Sequence, residues 1–380
     1  MLASALALLE QLIALPSVNS ALDAASRGEA EVAAWVEARA QNAGLKISRQ
    51  TVTPGHDNLL LELRGGHSQT LLFEAHMDTV PAAEMRDAFV PVARDGRLYG
   101  RGACDTKGSL AAMLWALETA AQTADELACD IVLCCTIDEE HGATGIKKFA
   151  ELEMPIAGAV IGEPTELQIV IAHKGCARFA VQTRGKAAHS SMPHLGQNAI
   201  HQMGEILRFI RDEVEPELAA QPHPLCGAPT ISVGTIHGGT QINIVPERCE
   251  IEIDRRLIPG EDARQTMEGL GVKFEQIEPT ITLRELLLDP VLDTCANARV
   301  VQTAQRVARE RGLSPALVGV PYGSDASKLQ DLCGVECIVF GPGSIAQAHS
   351  SAEWVAVADV ERAAQFYLEL MRSFGREEMI

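Results

Sequence analysis

The chain is poor in aromatic side chains, which make up 4% of its 380 residues, and no block of lysine or arginine interrupts its acidic composition. Acidic residues outnumber basic ones by 51 to 32, so the formal net charge is −19. Such a chain is unsuited to tracking phosphates, and we expect neither nucleic acid nor an anionic membrane as a partner. No apolar run reaches the roughly 20 residues that span a bilayer.

Redox and targeting motifs are also missing. Ten cysteines are present, but none form a C-x-x-C pair. In a chain of this size they are expected to be buried, reduced thiols, which favours a cytoplasmic location. The segment Met1–Glu10 lacks a basic start and ends in an acid, so we interpret it as the first amphipathic helix and not as a targeting signal.

Two domains are expected, because the chain exceeds the length at which a single core usually stops growing. From residue 57 to residue 172, short apolar runs alternate with helical stretches, which predicts an α/β fold with a mixed, largely parallel sheet. Residues 174–286 instead follow the β-α-β-β-α-β order of a ferredoxin-like domain. Its last helix is predicted at Glu261–Leu270 and its last strand at Val272–Leu283. The first domain is therefore discontinuous, with residues 1–173 and 287–380.

Imidazole and carboxylate side chains follow several of the apolar runs in the first domain. In an open α/β sheet, ligands bind outside the carboxyl ends of the strands. Two histidines and three or four carboxylates, with no cysteine, suit a pair of divalent metals that share a carboxylate, most simply zinc, with cobalt or manganese as alternatives. This composition favours hydrolysis by metal-activated water. The candidate residues are His76, Asp78, Asp105, Glu139, Glu140, Glu163 and His349.

Most candidates also have a simpler interpretation, which for His349 is a structural histidine in a loop. His76 and Asp78 are two residues apart, so the carboxylate can hold the imidazole, but such a pair also occurs at surface strand ends. A dinucleotide-binding loop needs glycine at the position of Asp105, so that interpretation is excluded. The remaining interpretations of Asp105 are a helix N-cap and a bridging metal ligand. Glu139 and Glu140 are adjacent, so one is expected to bind metal and the other to act as general base, unless both are solvated.

Six segments, in the same order along nearly the whole chain, resemble the dizinc amidohydrolases that include acetylornithine deacetylase, succinyl-diaminopimelate desuccinylase, aminoacylases and glutamate carboxypeptidase. The segments are Ala75–Pro81, Gly100–Gly108, Asp138–Glu140, Gly162–Thr165, Gly185–Ser190 and Gly341–His349. The resemblance implies that His76, Asp105 and Glu163 hold one zinc, and that Asp105, Glu140 and His349 hold the other. It also implies that Glu139 is the general base and that Asp78 supports His76.

The same resemblance implies that the inserted domain serves dimerisation and substrate contact. His189 resembles a histidine that enters the partner subunit's active site and stabilises the oxyanion. Asn243 and Arg256 resemble residues that bind the substrate carboxylate, to which arginine can pair through two parallel hydrogen bonds. A surface charge is the simpler interpretation of Arg256. Because Arg255 and Arg256 face opposite ways on a strand, only one of them can serve.

We therefore expect a cytoplasmic homodimer that hydrolyses the amide bond of a small N-acyl-L-amino acid. Gly162–Thr165, Tyr322–Ala326 and Gly341–His349 resemble acetylornithine deacetylases most within the family, which predicts arginine biosynthesis as the context. The alternatives are a desuccinylase, a carboxypeptidase, a dipeptidase, or a carboxylate-binding homologue without turnover. Two features depart from the family: no acid stands at Ser351 or Ala352 after the last histidine, and no tryptophan lies in Met85–Pro91.

Overall fold

The structure is a computed structural model that describes residues 3–66 and 69–376. His67, which the sequence suggests to be structural or on the surface, lies outside these ranges. Within them are ten α-helices: α1 Ala5–Ile13, α2 Ala30–Asn42, α3 Lys107–Ala120, α4 Thr144–Ala150, α5 Ala199–Phe209, α6 Glu215–Ala219, α7 Ala263–Ile277, α8 Arg299–Glu310, α9 Asp325–Cys333 and α10 Val357–Ser373.

The same part of the chain contains sixteen strands. In the first half they are β1 Lys46–Thr53, β2 His56–Leu63, β3 Thr70–His76, β4 Val92–Arg94, β5 Arg97–Tyr99, β6 Asp130–Thr136, β7 Ile156–Ile161 and β8 Ile169–His173. In the second half they are β9 Gly175–Arg184, β10 Thr230–Gly238, β11 Arg248–Leu257, β12 Thr282–Asp289, β13 Leu292–Asp293, β14 Leu317–Val320, β15 Cys337–Val339 and β16 Trp354–Ala356.

The chain divides into two compact units. The first contains most of a large mixed sheet and comprises the residues up to Ile171, Thr294–Val318 and the residues from Ser324 onward. Its strand order begins β1-β2-β6-β3-β7-β15-β8. The central strands β6, β3, β7 and β15 are parallel, while β1 and β2 pair antiparallel at one side. Every residue of β3 is buried, as expected of a central strand in an α/β sheet. The predicted mixed α/β fold is confirmed.

Helix α3 is a core helix of this unit, because twelve of its fourteen residues are buried. Even Lys107 in its first turn is buried, and its Nζ donates hydrogen bonds to the carbonyls of Leu12 (3.0 Å) and Leu15 (2.7 Å). These bonds satisfy carbonyls at the end of α1 that have no partner within that helix. The start of α3, which directly follows Asp105, is therefore held in a fixed place.

The second unit comprises Ala172–Asp293 with Gly319–Gly323. Its elements follow the order β9, α5, α6, β10, β11, α7, β12, and its antiparallel sheet has the order β10-β11-β9-β12. This is the β-α-β-β-α-β order that the sequence predicts. A separate apolar core fills the unit, with Phe179, Met203 and Phe274 among its buried residues.

The last helix of this unit is longer than predicted. Asp262 caps α7 by accepting a hydrogen bond from the amide of Gln265, and Met267, Leu270 and Phe274 are buried at helical spacing. Because this spacing continues past Leu270, the helix runs to Ile277 and the strand begins only at Thr282. The prediction of a strand from Val272 is wrong for this reason.

All ten cysteines are free thiols, and eight of them are buried as expected. The expectation is wrong for Cys295 and Cys333, which are exposed. Among the helices in the described ranges, none is long and apolar enough to cross a membrane.

Candidate functional site

Four loops that carry candidate residues leave the large sheet at one edge. They follow β3, β6, β7 and β15, which are parallel neighbours, so their carboxyl ends lie side by side. A fifth loop brings Asp105 to the same place from the start of α3. Six of the predicted residues carry side chains within hydrogen-bonding or ion-pairing distance of another member of the set: His76, Asp78, Asp105, Glu140, Glu163 and His349.

Asp105 lies between the two histidines. Its Oδ1 is 3.1 Å from Nε2 of His76, and its Oδ2 is 3.2 Å from Nε2 of His349. Each oxygen of one carboxylate therefore faces a different imidazole, which is the arrangement that a bridging ligand requires. His76 is buried, whereas the side chain of His349 is 53% exposed. The His349 side of the site is thus open to solvent.

Each histidine has a second acid beside it. Oε1 of Glu163 is 3.9 Å from Nε2 of His76, and Oε2 of Glu140 is 3.0 Å from Nε2 of His349. Two sets of ligand atoms lie within 4.8 Å of one another and could hold a metal ion: His76 with Glu139 and Glu163, and His76 with Asp105 and Glu140. Glu139 thus lies on the His76–Glu163 side, and Glu140 on the His349 side.

Glu139 and Glu140 have different neighbours, although each has an oxygen near His76, and the sequence does not predict the turn that causes this. Strand β6 ends at Thr136, and Glu139 and Glu140 lie in a turn. Asp138 before them has a positive φ of 61°. The alternation of an extended chain therefore does not apply, and the turn itself separates the two side chains.

The remaining predicted residues belong to the second unit. His189 and Asn243 are exposed neighbours there, because His189 pairs with Ile244 in an isolated bridge and the amide of Ser190 donates to the carbonyl of Asn243 at 3.0 Å. Arg256 lies on β11 and forms an ion pair with Asp254 (Nε–Oδ1 2.8 Å).

The guanidinium of Arg255, the neighbour of Arg256, is already paired with other groups of the protein. Arg255 is buried, and its guanidinium donates to Glu261 and to the carbonyl of Arg256. Arg255 therefore holds the loop after β11. Of these two arginines, the half-buried Arg256 is the one that a small molecule could contact.

Comparison with known proteins shows to which family the chain belongs. The model of Peptidase family M20/M25/M40 matches residues 72–373. The acetylornithine deacetylase of Myxococcus xanthus is 35% identical over 349 residues, which cover 86% of this chain and 88% of that protein. The chain belongs to the M20/M25/M40 family. It is a metallo-hydrolase of that family, and the resemblance that the sequence motifs indicate is confirmed.

Two solved structures share the fold. A tripeptidase from Staphylococcus aureus is 22% identical, covers 98% of both chains and has a TM-score of 0.81. A dinuclear metal-binding peptidase of the M20 family from Bacillus subtilis is 17% identical, covers 97% of this chain and 96% of that chain, and has a TM-score of 0.75. At these identities the likeness establishes the fold.

Asp78 connects the two halves of this M20 site. Its Oδ1 is 3.4 Å from Nδ1 of His76, and its two oxygens accept hydrogen bonds from the backbone amides of Glu139 (3.2 Å) and Glu140 (3.1 Å). Nδ1 of His76 lies closer, at 3.0 Å, to the backbone carbonyl oxygen of Asp78, which therefore orients the imidazole. The carboxylate fixes the turn that carries both glutamates. The second role could not be read from the sequence.

Asn19 is a residue that the sequence analysis did not find. It is buried, and its Nδ2 donates to Oδ2 of Asp78 (2.8 Å) and to Oδ1 of Asp138 (2.9 Å). Its backbone amide also bonds to the carbonyl of Thr79 (2.9 Å). An isolated asparagine near the N-terminus gives no signal in one sequence, because its partners lie about 60 and 120 positions away.

Glu353 is a second residue that the sequence analysis did not assign. The acid absent from Ser351 and Ala352 is present one position later, and its carboxylate is fully buried. It accepts hydrogen bonds from the backbone amides of Gly102, Cys104 and Asp105. An acid therefore does lie behind the Asp105 loop, although Ser351 and Ala352 provide none.

The electrostatics of the cluster fit a bound cation. Burial raises the pKa of Glu139, raises that of Glu140 to about 7, and, together with the charge of Asp105, raises that of Glu163 well above its usual range. Hydrogen bonds to Asp105 and Glu140 raise the pKa of His349 to about 10. Oε1 of Glu140 is buried without a hydrogen-bond partner. Crowded acids and an unpartnered oxygen beside two imidazoles form a donor set suited to divalent metals.

Proposed function

We propose that the protein is a two-metal amidohydrolase that releases the acyl group from N-acyl-L-amino acids, and that it acts as an acetylornithine deacetylase. The observation that carries the proposal is the position of Asp105 between His76 and His349, with one further acid beside each histidine. The 35% identity to the acetylornithine deacetylase of Myxococcus xanthus supports the narrower substrate.

Two divalent ions, most simply zinc, are proposed to occupy the cluster. His76, Asp105 and Glu163 would hold one, and Asp105, Glu140 and His349 the other. When bound, such ions polarise a carbonyl and make water a better nucleophile. Cobalt and manganese are accepted alternatives for a donor set of two imidazoles and three carboxylates.

The protein's own groups move the protons. Glu139 accepts the proton of the attacking water and passes it to the nitrogen of the leaving amine, as a general base that becomes a general acid. Burial raises its pKa, which places the carboxyl closer to the range in which it can both take and give a proton. Asp78 holds the backbone of Glu139 through its carboxylate and the ring of His76 through its backbone carbonyl, so one residue positions both the base and a proposed ligand.

Substrate binding is assigned to the second unit. Arg256 and Asn243 would bind the free carboxylate of the amino acid, and His189 would donate a hydrogen bond to the oxygen of the tetrahedral intermediate. The side chain of Arg256 is 34% exposed, and His189 and Asn243 are exposed, so all three can reach a ligand.

The positions of these residues within the unit favour a homodimer. Asn243 lies in the loop that leads into β11 at its Arg248 end, where the amide of Gly239 donates a hydrogen bond to the carbonyl of Arg248. Arg256 lies eight residues further along the strand, which corresponds to roughly 27 Å at 3.4 Å per residue. One small substrate cannot contact both ends of a single unit. This separation supports the proposal that two subunits contribute His189, Asn243 and Arg256 to one site.

Mixing two inactive variants tests this dimer. We expect that His189→Ala subunits and Glu139→Gln subunits, once exchanged, regain activity, because one of the two sites in each mixed dimer then carries both unaltered groups. Recovery should be large, since an oxyanion donor and a general base are each typically worth about a hundredfold or more in rate.

The control for this mixture replaces the Glu139→Gln subunit with one that carries both changes, which leaves no intact site. Exchange is checked by size analysis of differently tagged subunits. If exchange is complete and the mixture is no more active than its parents, His189 acts within its own chain or has no part in the reaction.

A substrate panel tests the proposed activity. Products released by the metal-loaded protein are separated by chromatography from N-acetyl-L-ornithine, N-succinyl-diaminopimelate, a dipeptide, and an N-acetyl-L-ornithine whose carboxylate is converted to an amide. We expect the highest kcat/KM for N-acetyl-L-ornithine and a strong loss for the amide. Faster cleavage of the dipeptide would identify a peptidase instead, and no cleavage of any compound would favour a non-catalytic carboxylate-binding protein.

A further inference from the structure

Glu353 lies between the two loops that carry Asp105 and His349. It follows His349 by four residues and directly precedes β16, which pairs antiparallel with β5. Strand β5 ends at Tyr99, just before the loop that carries Asp105. The short sheet thus brings the base of one loop against the base of the other, and the amide of Gly100 donates to the backbone carbonyl of Glu353 at 3.2 Å.

The Asp105 loop wraps around the carboxylate of Glu353. Oε1 accepts from the amides of Cys104 (2.8 Å) and Asp105 (3.0 Å), and Oε2 accepts from the amide of Gly102 (3.0 Å) and from Nη1 of Arg101 (2.6 Å). Hydrogen bonds to an ionised acceptor are shorter and stronger than neutral ones. Four donors on one buried carboxylate therefore fix the path of the backbone that ends at Asp105.

Two further contacts connect the same loops. Nη2 of Arg101 donates to the carbonyl of Ser350 at 3.3 Å, and Sγ of Cys104 donates to the carbonyl of Ser344 at 3.3 Å. Ser350 is the residue after His349. The buried Arg101 thus bonds to Glu353 with one nitrogen and to the His349 loop with another.

His349 needs such support because packing does not enclose it. Its side chain is 53% exposed, and its backbone has a positive φ of 58°. His76, by contrast, is buried at the end of a central strand. The position of the His349 side of the site therefore depends on its loop more than the His76 side does.

We propose that Glu353 is a positioning residue that fixes Asp105 relative to His349 and so determines the affinity of the ion on the His349 side. The inference rests on the proposed function, since it takes these two side chains as ligands. Of the three ligands proposed for that ion, Glu353 supports two, Asp105 and His349. Of the three ligands proposed for the other ion, it supports only Asp105. Its loss should weaken the two ions unequally.

Glu353→Gln is the sharpest test. Both oxygens of Glu353 accept hydrogen bonds from N–H groups. The side-chain amide of glutamine has only one oxygen, so in either orientation its NH₂ group faces other donors and those hydrogen bonds are lost. Binding of Zn²⁺ to metal-free protein is followed by titration calorimetry. We expect one of the two binding steps to weaken by roughly 10- to 100-fold, the usual effect of losing a group that orients a ligand, with a much smaller change in the other step.

Glu118→Gln is the matched control. Glu118 is also buried and forms two hydrogen bonds with an arginine, Arg39, at 2.8 and 2.7 Å. It lies eleven residues along α3 from Lys107, which corresponds to roughly 16 Å. Both variants should lose stability, but only Glu353→Gln should change the metal titration. Should Glu353→Gln fail to fold, Glu353→Asp keeps the charge, reaches fewer donors, and should show the same unequal weakening to a smaller degree.

The outcomes separate this inference from the function on which it rests. If the unaltered protein binds two ions and the Glu353 variants bind both as tightly as Glu118→Gln does, the inference is overturned and the function stands. Equal weakening of both steps also overturns it, because a general loss of structure explains that result. If the unaltered protein binds fewer than two ions, the proposed function fails and the inference fails with it.

Discussion

Replacement of Glu139 by glutamine is expected to lower kcat by at least about a hundredfold while the metal content stays close to that of the unaltered protein. The amide keeps the shape of the side chain and the backbone hydrogen bond from Glu139 to Asp78 (3.2 Å), so the turn should persist. It cannot accept the proton of the attacking water. Steady-state kinetics and elemental analysis of the same preparation measure both quantities.

Glu140→Gln is the natural comparison, because the adjacent residue is held by the same carboxylate, with its amide 3.1 Å from Asp78. Its Oε2 lies 3.0 Å from His349, and we expect this substitution to lower metal occupancy first and activity as a consequence. Added metal should then restore part of the activity of Glu140→Gln and none of that of Glu139→Gln. Two variants with the same profile would contradict the division of roles between these glutamates.

Asp105→Asn is expected to have the second large effect. Both oxygens of Asp105 face an imidazole, so the amide replaces one ligand oxygen with a group that cannot bind a cation. We expect metal content to fall below two ions per chain. The rate should fall by about a thousandfold, because metal stabilisation of developing charge is worth on the order of 4 kcal/mol.

Asp130→Asn is a suitable control for this substitution. Asp130 begins β6 at the end remote from the site, and it accepts a hydrogen bond from the amide of Gly65 at 2.8 Å. Its replacement should affect stability and leave the metal content unchanged. Full metal content and activity in Asp105→Asn would show that Asp105 caps or supports the helix that follows it and does not bridge two ions.

The closeness of several candidate ligands could be predicted from the sequence, because His76 ends one strand and Glu163 closely follows another. In a parallel sheet the ends of neighbouring strands meet, so His76 and Glu163 are close in space although 87 positions separate them in the chain. Hydrophobic periodicity also predicted the β-α-β-β-α-β order of the second unit. Helix α7 of that unit continues past the predicted end at Leu270 because the buried Phe274 extends its apolar face.

The supporting residues could not be predicted in the same way. Asn19 and Glu353 act through hydrogen bonds to residues far away in the chain, and neither stands at the end of an apolar run. The turn at Asp138 was missed for a related reason, since its positive φ depends on the fit of the Glu139 and Glu140 amides to Asp78. A hydrophobic pattern along one chain predicts which residues face a core. It does not predict which carboxylate accepts a hydrogen bond from a particular backbone amide.

The most direct test of the central claim is a stepwise metal titration of the metal-free protein, with hydrolysis of N-acetyl-L-ornithine measured at each step. Two Zn²⁺ or Co²⁺ ions should bind per chain, and the rate of acetate release should rise with added metal and reach its plateau at the second equivalent. A plateau after one equivalent would contradict the shared role of Asp105. Hydrolysis that proceeds without metal, or that does not appear with two ions bound, would contradict the account of the site as a two-metal amidohydrolase.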